Sequence, residues 1–341
     1  MNMKYIKELY HNYDTEYLAQ IAEKICFLNY GNKVFLRGLI EFSNECKMNC
    51  LYCGLRRDNK KLNRYLITPD KVIEIITKFY NFGFRSFVLQ SGEFITYKIK
   101  DLCYIVENIK KKFNDIAITL SCGYFNKKEL KILKENGVDR YLLRFETADS
   151  KLYSFLKNGL SLKKRIEMLY NLKELNYETG SGFMIGLPYE TDEIILKNIK
   201  FCYDLKLDMI GIGPFIPNPD TPLGNLLITE FDKIVKITAI LRIILPFSNI
   251  PATTASGTIE KLGREKLLKA GANVLMPNIT PKEYKKNYLL YPNKICINED
   301  FSHCINCLSK RLKKINRKIS LDKGTSLNYI LKKEGEYYVS C

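Results

Sequence analysis

No run of 18 uncharged apolar residues occurs anywhere in the 341 positions of this sequence, which argues against a membrane span. The first residues, Met1 to Tyr5, lead into a charged amphipathic stretch without an apolar h-region, so no secretory signal is expected and a cytoplasmic location is. Linkers, low-complexity tracts and repeats longer than a strand–helix unit are also missing. Histidine is scarce, two residues in all, and neither lies near the densest cysteine cluster. In a reducing cytoplasm the eleven cysteines read as metal ligands plus buried thiols, not as a disulfide framework. Acidic residues run short, 37 against 54 basic, for a net charge of +17. Such a balance could serve nucleic-acid binding. The basic residues are mostly lysines scattered over apparent helix faces among abundant Asn and Ile, however, so compositional drift and a solvated surface explain them, and no nucleic-acid partner is expected. The densest basic stretch, Lys310 to Lys333, reads as the wet face of a terminal helix. With 46% hydrophobic and 27% charged residues, the composition is that of an ordinary globular protein long enough to bury a full core.

What is present is organised around Cys46, Cys50 and Cys53, a C-x3-C-x2-C run with Tyr52 just before its last cysteine. Three thiolates this close, with no histidine beside them, suit an iron–sulfur cluster better than structural zinc, which takes four closing ligands. On a four-iron cube they leave one iron open to chelate a substrate or cofactor. A zinc knuckle is the plain alternative. The spacing resembles the radical S-adenosylmethionine (SAM) superfamily, in which the open iron holds the amino and carboxylate groups of SAM and an electron from the cluster yields a 5′-deoxyadenosyl radical.

Around this loop, strand and helix patterns alternate. An N-terminal helix is expected over 14–28 behind an Asp14 N-cap. Strands are expected at 38–43, 86–90, 116–120, 140–145, 178–185, 208–213, 250–254 and 273–276, with helices at 69–82, 99–113, 127–136, 162–175, 193–205 and 231–245 between them. Eight short apolar strands alternating with helices point to α/β architecture with a parallel sheet closed as a (β/α)8 TIM-type barrel, a fold of about 250 residues. The expected division is an N-terminal helical cap at 1–35, the barrel at 36–292 and a C-terminal extension at 293–341.

In such barrels the catalytic face lies at the C-terminal ends of the strands. Those ends carry Ser43-Asn44, Gln90-Ser91-Gly92-Glu93, Thr119 and Ser121, Arg144, Glu146 and Thr147, Ser181-Gly182, Met209, Thr253-Thr254 and Met276-Pro277-Asn278. Each alone could be a turn or capping residue; together they describe a pocket. Gly92 allows close backbone approach, Glu93 and Glu146 can accept from amine or hydroxyl groups, and Arg165 can grip a carboxylate. Arg144 and Gln90 remain for a second substrate.

Several longer motifs resemble the HydE family, the radical SAM maturases of FeFe-hydrogenase, related to biotin synthase and methylornithine synthase. They are LRGLIEFSN at 36–44, CLYCGLRRDN at 50–59, VLQSGE at 88–93, YLLRFETA at 141–148, GIGPFIP at 211–217, PDTP at 219–222, NIPATT at 249–254 and GANVLMPN at 271–278. The resemblance implies a 4Fe-4S cluster on Cys46, Cys50 and Cys53, and SAM contacts at Tyr52, Gly92, Glu93, Glu146 and Arg165. It implies a substrate cavity lined by Gln90, Thr119, Arg144, Met209, Thr253, Thr254 and Tyr288. The substrate would be an organometallic iron on a cysteine, supplied by a HydG-type tyrosine lyase, with a HydF-type scaffold downstream and ferredoxin or flavodoxin as reductant. Phe145 stands where the family suggests histidine; alternation turns it away from Arg144 and Glu146, so a packing change is expected.

Cys296, Cys304 and Cys307 form C-x7-C-x2-C and resemble the family's variable accessory site for a second cluster, 2Fe-2S or 4Fe-4S; a vestigial site is the alternative, and His303 could add a fourth ligand. Two other functions compete: a biosynthetic radical SAM enzyme acting on a small amino acid, and a non-catalytic iron–sulfur electron carrier. The carrier would need neither the Gly92-Glu93 loop nor Glu146.

Overall fold

The computed structural model describes residues 2–297 and 301–335, with the side chains of 301–304 left out. Its strands are β1 (Lys33–Leu36), β2 (Gly38–Ser43), β3 (Ser86–Ser91), β4 (Ala117–Ser121), β5 (Arg140–Leu142), β6 (Glu178–Ser181), β7 (Met184–Ile185), β8 (Met209–Ile210), β9 (Gly213–Pro214), β10 (Val274–Leu275) and β11 (Lys318–Ser320). The order β2-β3-β4-β5-β6-β8 forms one parallel sheet. Isolated parallel bridges continue it from Met209 to Asn249 and from Pro251 to Val274, and Leu39 bridges Asn278. The last bridge returns to β2, so the eight staves close into a TIM-type barrel.

Outside the ring, apolar helix faces pack onto the strands. Helix Thr15–Tyr30 starts where the Asp14 carboxylate accepts from Tyr17 N at 2.7 Å, the cap expected from sequence, and packs on helix Phe231–Ile244. Helices that were not anticipated include Met3–Asn12, Ser150–Leu156, Thr254–Ile259, Gly263–Lys269 and Lys282–Lys285. Among the described residues no helix is long and apolar enough to cross a membrane. Phe145 is fully buried, stacked on Phe183 and edge-on to Phe201, on the helix side of its stave as alternation requires.

Three expected strands are interrupted. The staves at 178–185 and 208–213 each break into two, β6/β7 and β8/β9. Gly182, at φ 154°, passes so close to its neighbour that a Cβ there would lie 2.2 Å from the Gly211 carbonyl oxygen. The two backbones therefore bend together at adjacent glycines. The expected strand at 250–254 contributes only single bridges: Pro251 has no N–H for a ladder, and Thr253 already caps helix Thr254–Ile259.

The C-terminal segment closes the other end of the barrel, a role not anticipated for the basic stretch 310–333. β11 pairs with β1, which pairs with β10. Beneath the ring, Arg140 donates to the Lys323 carbonyl (2.8 Å), and Arg37 and Asn249 both donate to that of Gly324 (3.1 and 2.9 Å). Arg140, Arg37 and Glu178 form a fully buried ionic layer there, with Arg140 Nε on Glu178. Burial and the nearby Arg140 charge push the Arg37 guanidinium down to about 9. The opposite face of the ring is left open.

Candidate active site

β2 runs directly into the cysteine loop, and short-range polar contacts fix its exit. Asn44 accepts from Tyr65 N (2.7 Å) and donates to the carbonyls of Asn63 and Asn287 (2.8 Å each). Arg64 staples the loop ends by donating to the carbonyls of Asn44, Leu55 and Arg56. Three other elements hold the loop through its backbone. Leu51 N donates to Leu156 O, Gly54 N to Leu290 O, and Lys47 N to Glu93 O, at 2.9, 2.9 and 3.0 Å. A Cβ on Gly54 would lie 2.0 Å from Leu289 O, and one on Gly92 2.0 Å from Glu45 O, so both close approaches require glycine.

Cys46, Cys50 and Cys53 wall one cavity of about 270 Å³ at the C-terminal ends of the strands. Among the described residues, no three His, Cys, Asp or Glu side chains converge as a single metal ion demands. Three thiols suit an iron–sulfur cluster with an open iron better than structural zinc, which takes four closing ligands. Glu93 N donates to Cys46 Sγ at 3.4 Å, the kind of N–H···S contact that tunes such clusters. Burial pushes the Cys46 and Cys53 thiols upward, so both favour the neutral form until a cation replaces the proton. The donor set fits a cluster with one open iron.

The same cavity is lined by Tyr52, Gly92, Glu93, Glu146 and Arg165, and by Gln90, Arg144, Thr253 and Tyr288. Gln90 Nε2 donates to the Tyr288 hydroxyl at 3.1 Å. Three residues expected here lie outside the lining. Thr119 is buried with its hydroxyl unpartnered, Met209 takes Arg37 Nη1 on its sulfur, and Thr254 opens the helix that Thr253 caps.

Charge is arranged in two groups. Arg165 donates through Nε to the Tyr153 hydroxyl (2.9 Å), through Nη1 to Arg144 O (3.2 Å) and through Nη2 to Glu93, leaving two of its five N–H groups. Burial alone would raise the Glu93 carboxyl, but the Arg165 and Lys157 cations hold it down at about 2. The second group is Arg144 with Glu146, 3.1 Å apart. Glu146 sits at φ 66°, a conformation costly for a residue with a Cβ and frequent at ligand sites. Arg144 Nη2 and Glu146 Oε2 are the paired atoms and make no hydrogen bond, and Arg144 Nε is buried without a hydrogen-bond partner, so the pair can offer a donor to a polar guest.

Lys157, only 4% exposed, also lines the cavity. It was missed because it sits at the end of helix Ser150–Leu156 and not at a strand end. Its local signal was the turn that follows, where Asn158 and Gly159 adopt φ 53° and 89°. Of the accessory motif, Cys296 and Cys307 line a cavity of about 230 Å³ with Lys261, Arg264 and Arg311. The side chains of His303 and Cys304 lie outside the described residues.

The profile of the radical SAM superfamily matches residues 40–202, and that of the Biotin and Thiamin Synthesis associated domain matches residues 212–296. The FeFe hydrogenase maturase subunit HydE of Thermotoga maritima is 47% identical over 309 residues, 91% of this chain and 88% of that protein. The 3-methylornithine synthase of Methanosarcina acetivorans is 30% identical over 81% of this chain and 79% of its own length. The crystal structure of methylornithine synthase superposes with a TM-score of 0.79 at 24% identity, covering 94% of each chain, a likeness of fold.

Proposed function

We propose a function from one premise: the chain belongs to the radical SAM superfamily and, within it, to the HydE family. It is a radical SAM enzyme of FeFe-hydrogenase maturation. Its substrate is the organometallic iron–cysteine species that a HydG-type tyrosine lyase supplies, and its product passes to a HydF-type scaffold. The observation that carries this reading is a single cavity in which three thiols, two arginines, a lysine and two carboxylates meet at the open end of a barrel.

Within that cavity Cys46, Cys50 and Cys53 would hold the 4Fe-4S cluster as thiolates. When bound, cluster and SAM supply a 5′-deoxyadenosyl radical. Gly92 lets the SAM amino acid approach the backbone. The remaining N–H groups of Arg165 take its carboxylate, and Glu146 accepts from its polar hydrogens. Arg144, Gln90, Tyr288 and Thr253 hold the anionic substrate and keep it within reach of the radical. Apolar walls from Met184, Phe215 and Ile216 complete the cavity and would limit the water inside it. Ferredoxin or flavodoxin supplies the electron, in the cytoplasm, and Cys296, Cys304 and Cys307 form a second cluster site not needed for SAM cleavage.

The test is anaerobic turnover of reconstituted chain with SAM and dithionite, with and without the product of the tyrosine lyase. The reading expects 5′-deoxyadenosine in both and consumption of the organometallic species in the second. Consumption of a free amino acid instead would favour an activity of the methylornithine synthase kind.

A further inference from the structure

Lys157 lies beside the cysteine loop by construction. Helix Ser150–Leu156 ends against that loop, where the Leu156 carbonyl accepts from Leu51 N at 2.9 Å. The next residue sends its side chain inward, and its ammonium stands 5.5 Å from the centre of the Tyr52 ring. Burying an ammonium costs several kcal/mol unless an anion compensates it. The nearest carboxylate, Glu93, lies at 3.6 Å and is already bound by Arg165. Lys157 thus meets Glu93 at longer range than Arg165 does and shares that one carboxylate with it. The group of Arg165, Glu93 and Lys157 therefore carries one positive charge in excess, and the neighbouring Arg144–Glu146 pair, neutral as a whole, does not offset it. The anionic groups left on that wall are the thiolates of the cysteine loop once deprotonated, among them the buried Cys50 next to Leu51, whose N–H the helix end accepts.

We propose that Lys157 is a positioning residue for cluster charge: its fixed ammonium offsets the three thiolates and raises the reduction potential of the cluster they hold. The inference rests on the radical SAM reading above. A four-iron core on three thiolates is net anionic and gains a further negative charge when it takes up an electron. A buried cation favours the more negative state, and the low dielectric strengthens the effect. Before SAM binds, the excess charge stands uncompensated, because Glu93 neutralises only one of its two partners. Tyr52 adds a ring face that tolerates the cation without cancelling it.

The experiment is an EPR-monitored dithionite titration of the anaerobically reconstituted full chain, without SAM, after assay of iron and sulfide. K157Q is expected to load its cluster and to show a midpoint shifted to more negative potential, while K157R stays near wild type. E93Q, which removes the neutralising charge, is expected to shift in the opposite direction. A fully loaded K157Q with the wild-type midpoint would overturn the proposal. If K157Q takes up no iron, E93Q decides: a positive shift supports the proposal and an unchanged midpoint overturns it. A wild-type chain that forms no four-iron cluster overturns the radical SAM reading and this proposal together, whereas a loaded wild type with unshifted variants removes Lys157 alone.

Discussion

Arg144 and Glu146 face each other across 3.1 Å, on the one face where alternation places both, although the family resemblance assigns one to the substrate and the other to SAM. The two pockets thus share a wall. Arg165, reached from the following helix, is tied instead to Glu93 and Tyr153.

This arrangement predicts a graded response to losing each arginine. R165A removes a charge-assisted contact and should weaken SAM binding by about 1.5–3 kcal/mol. R144A should weaken it less and chiefly cause abortive deoxyadenosine formation, because an unheld substrate leaves its near-attack position. Since Arg144 and Glu146 touch, R144A and E146Q should not be additive. SAM affinity of the two single variants, E146Q and the double variant under one anaerobic condition checks this; equal losses for R144A and R165A would mean that the pocket is divided wrongly.

Alanine at any one of Cys46, Cys50 or Cys53 should remove the four-iron EPR signal and SAM cleavage together while circular dichroism stays that of the folded barrel. The triple change of Cys296, Cys304 and Cys307 should lower iron content and leave SAM cleavage intact. Deoxyadenosine from a first-motif variant would contradict the open-iron assignment.

At the closed end of the barrel, Glu178 is the acid set between Arg140 and Arg37. E178Q leaves two buried guanidinium groups without it and should destabilise the fold by about 3–5 kcal/mol. Urea denaturation of the variant measures this; a loss below about 1 kcal/mol would show that the Gly324 and Lys323 carbonyls alone suffice for both arginines.

Glu190 gives the fold a pH dependence. Burial pushes its carboxyl from 4.5 up to about 7; Gly186 N donates to one oxygen at 2.8 Å and the other has no partner. The folded chain therefore keeps the proton that the unfolded chain gives up first. The contribution is fully present below about pH 4.5 and is lost as pH rises through about 7, on the order of 3 kcal/mol at most. Thermal midpoints of wild type and E190Q across this window should show the slope in the wild type alone. Parallel curves would contradict it.

Much of this was legible because barrel staves and helix faces leave local periodic signals. The Asp14 cap, the helix at 69–81 and the strand from Gly38 to Ser43 each follow from a few neighbouring residues. So does the gathering of Gln90, Glu93, Arg144 and Glu146 on one cavity, since they lie at the same ends of two staves of one ring. What was not legible depends on distant contacts. The bend at Gly182 exists because Gly211 lies against it, and neither glycine reveals its partner in sequence. β1 and β11 pair across almost the whole chain, and Lys157 enters the cavity from a helix end that no strand pattern marks.

The central claim is that this chain performs the HydE-family step, and reconstitution of hydrogenase maturation tests it most directly. Apo-FeFe-hydrogenase is incubated anaerobically with the tyrosine lyase, the scaffold, SAM and reductant, and hydrogen evolution is measured with this chain as the variable component. The account predicts activity when the wild-type chain is added and none with C50A, which changes the most deeply buried thiol of the loop. Hydrogen evolution that is the same with wild type, with C50A and with no addition would contradict it.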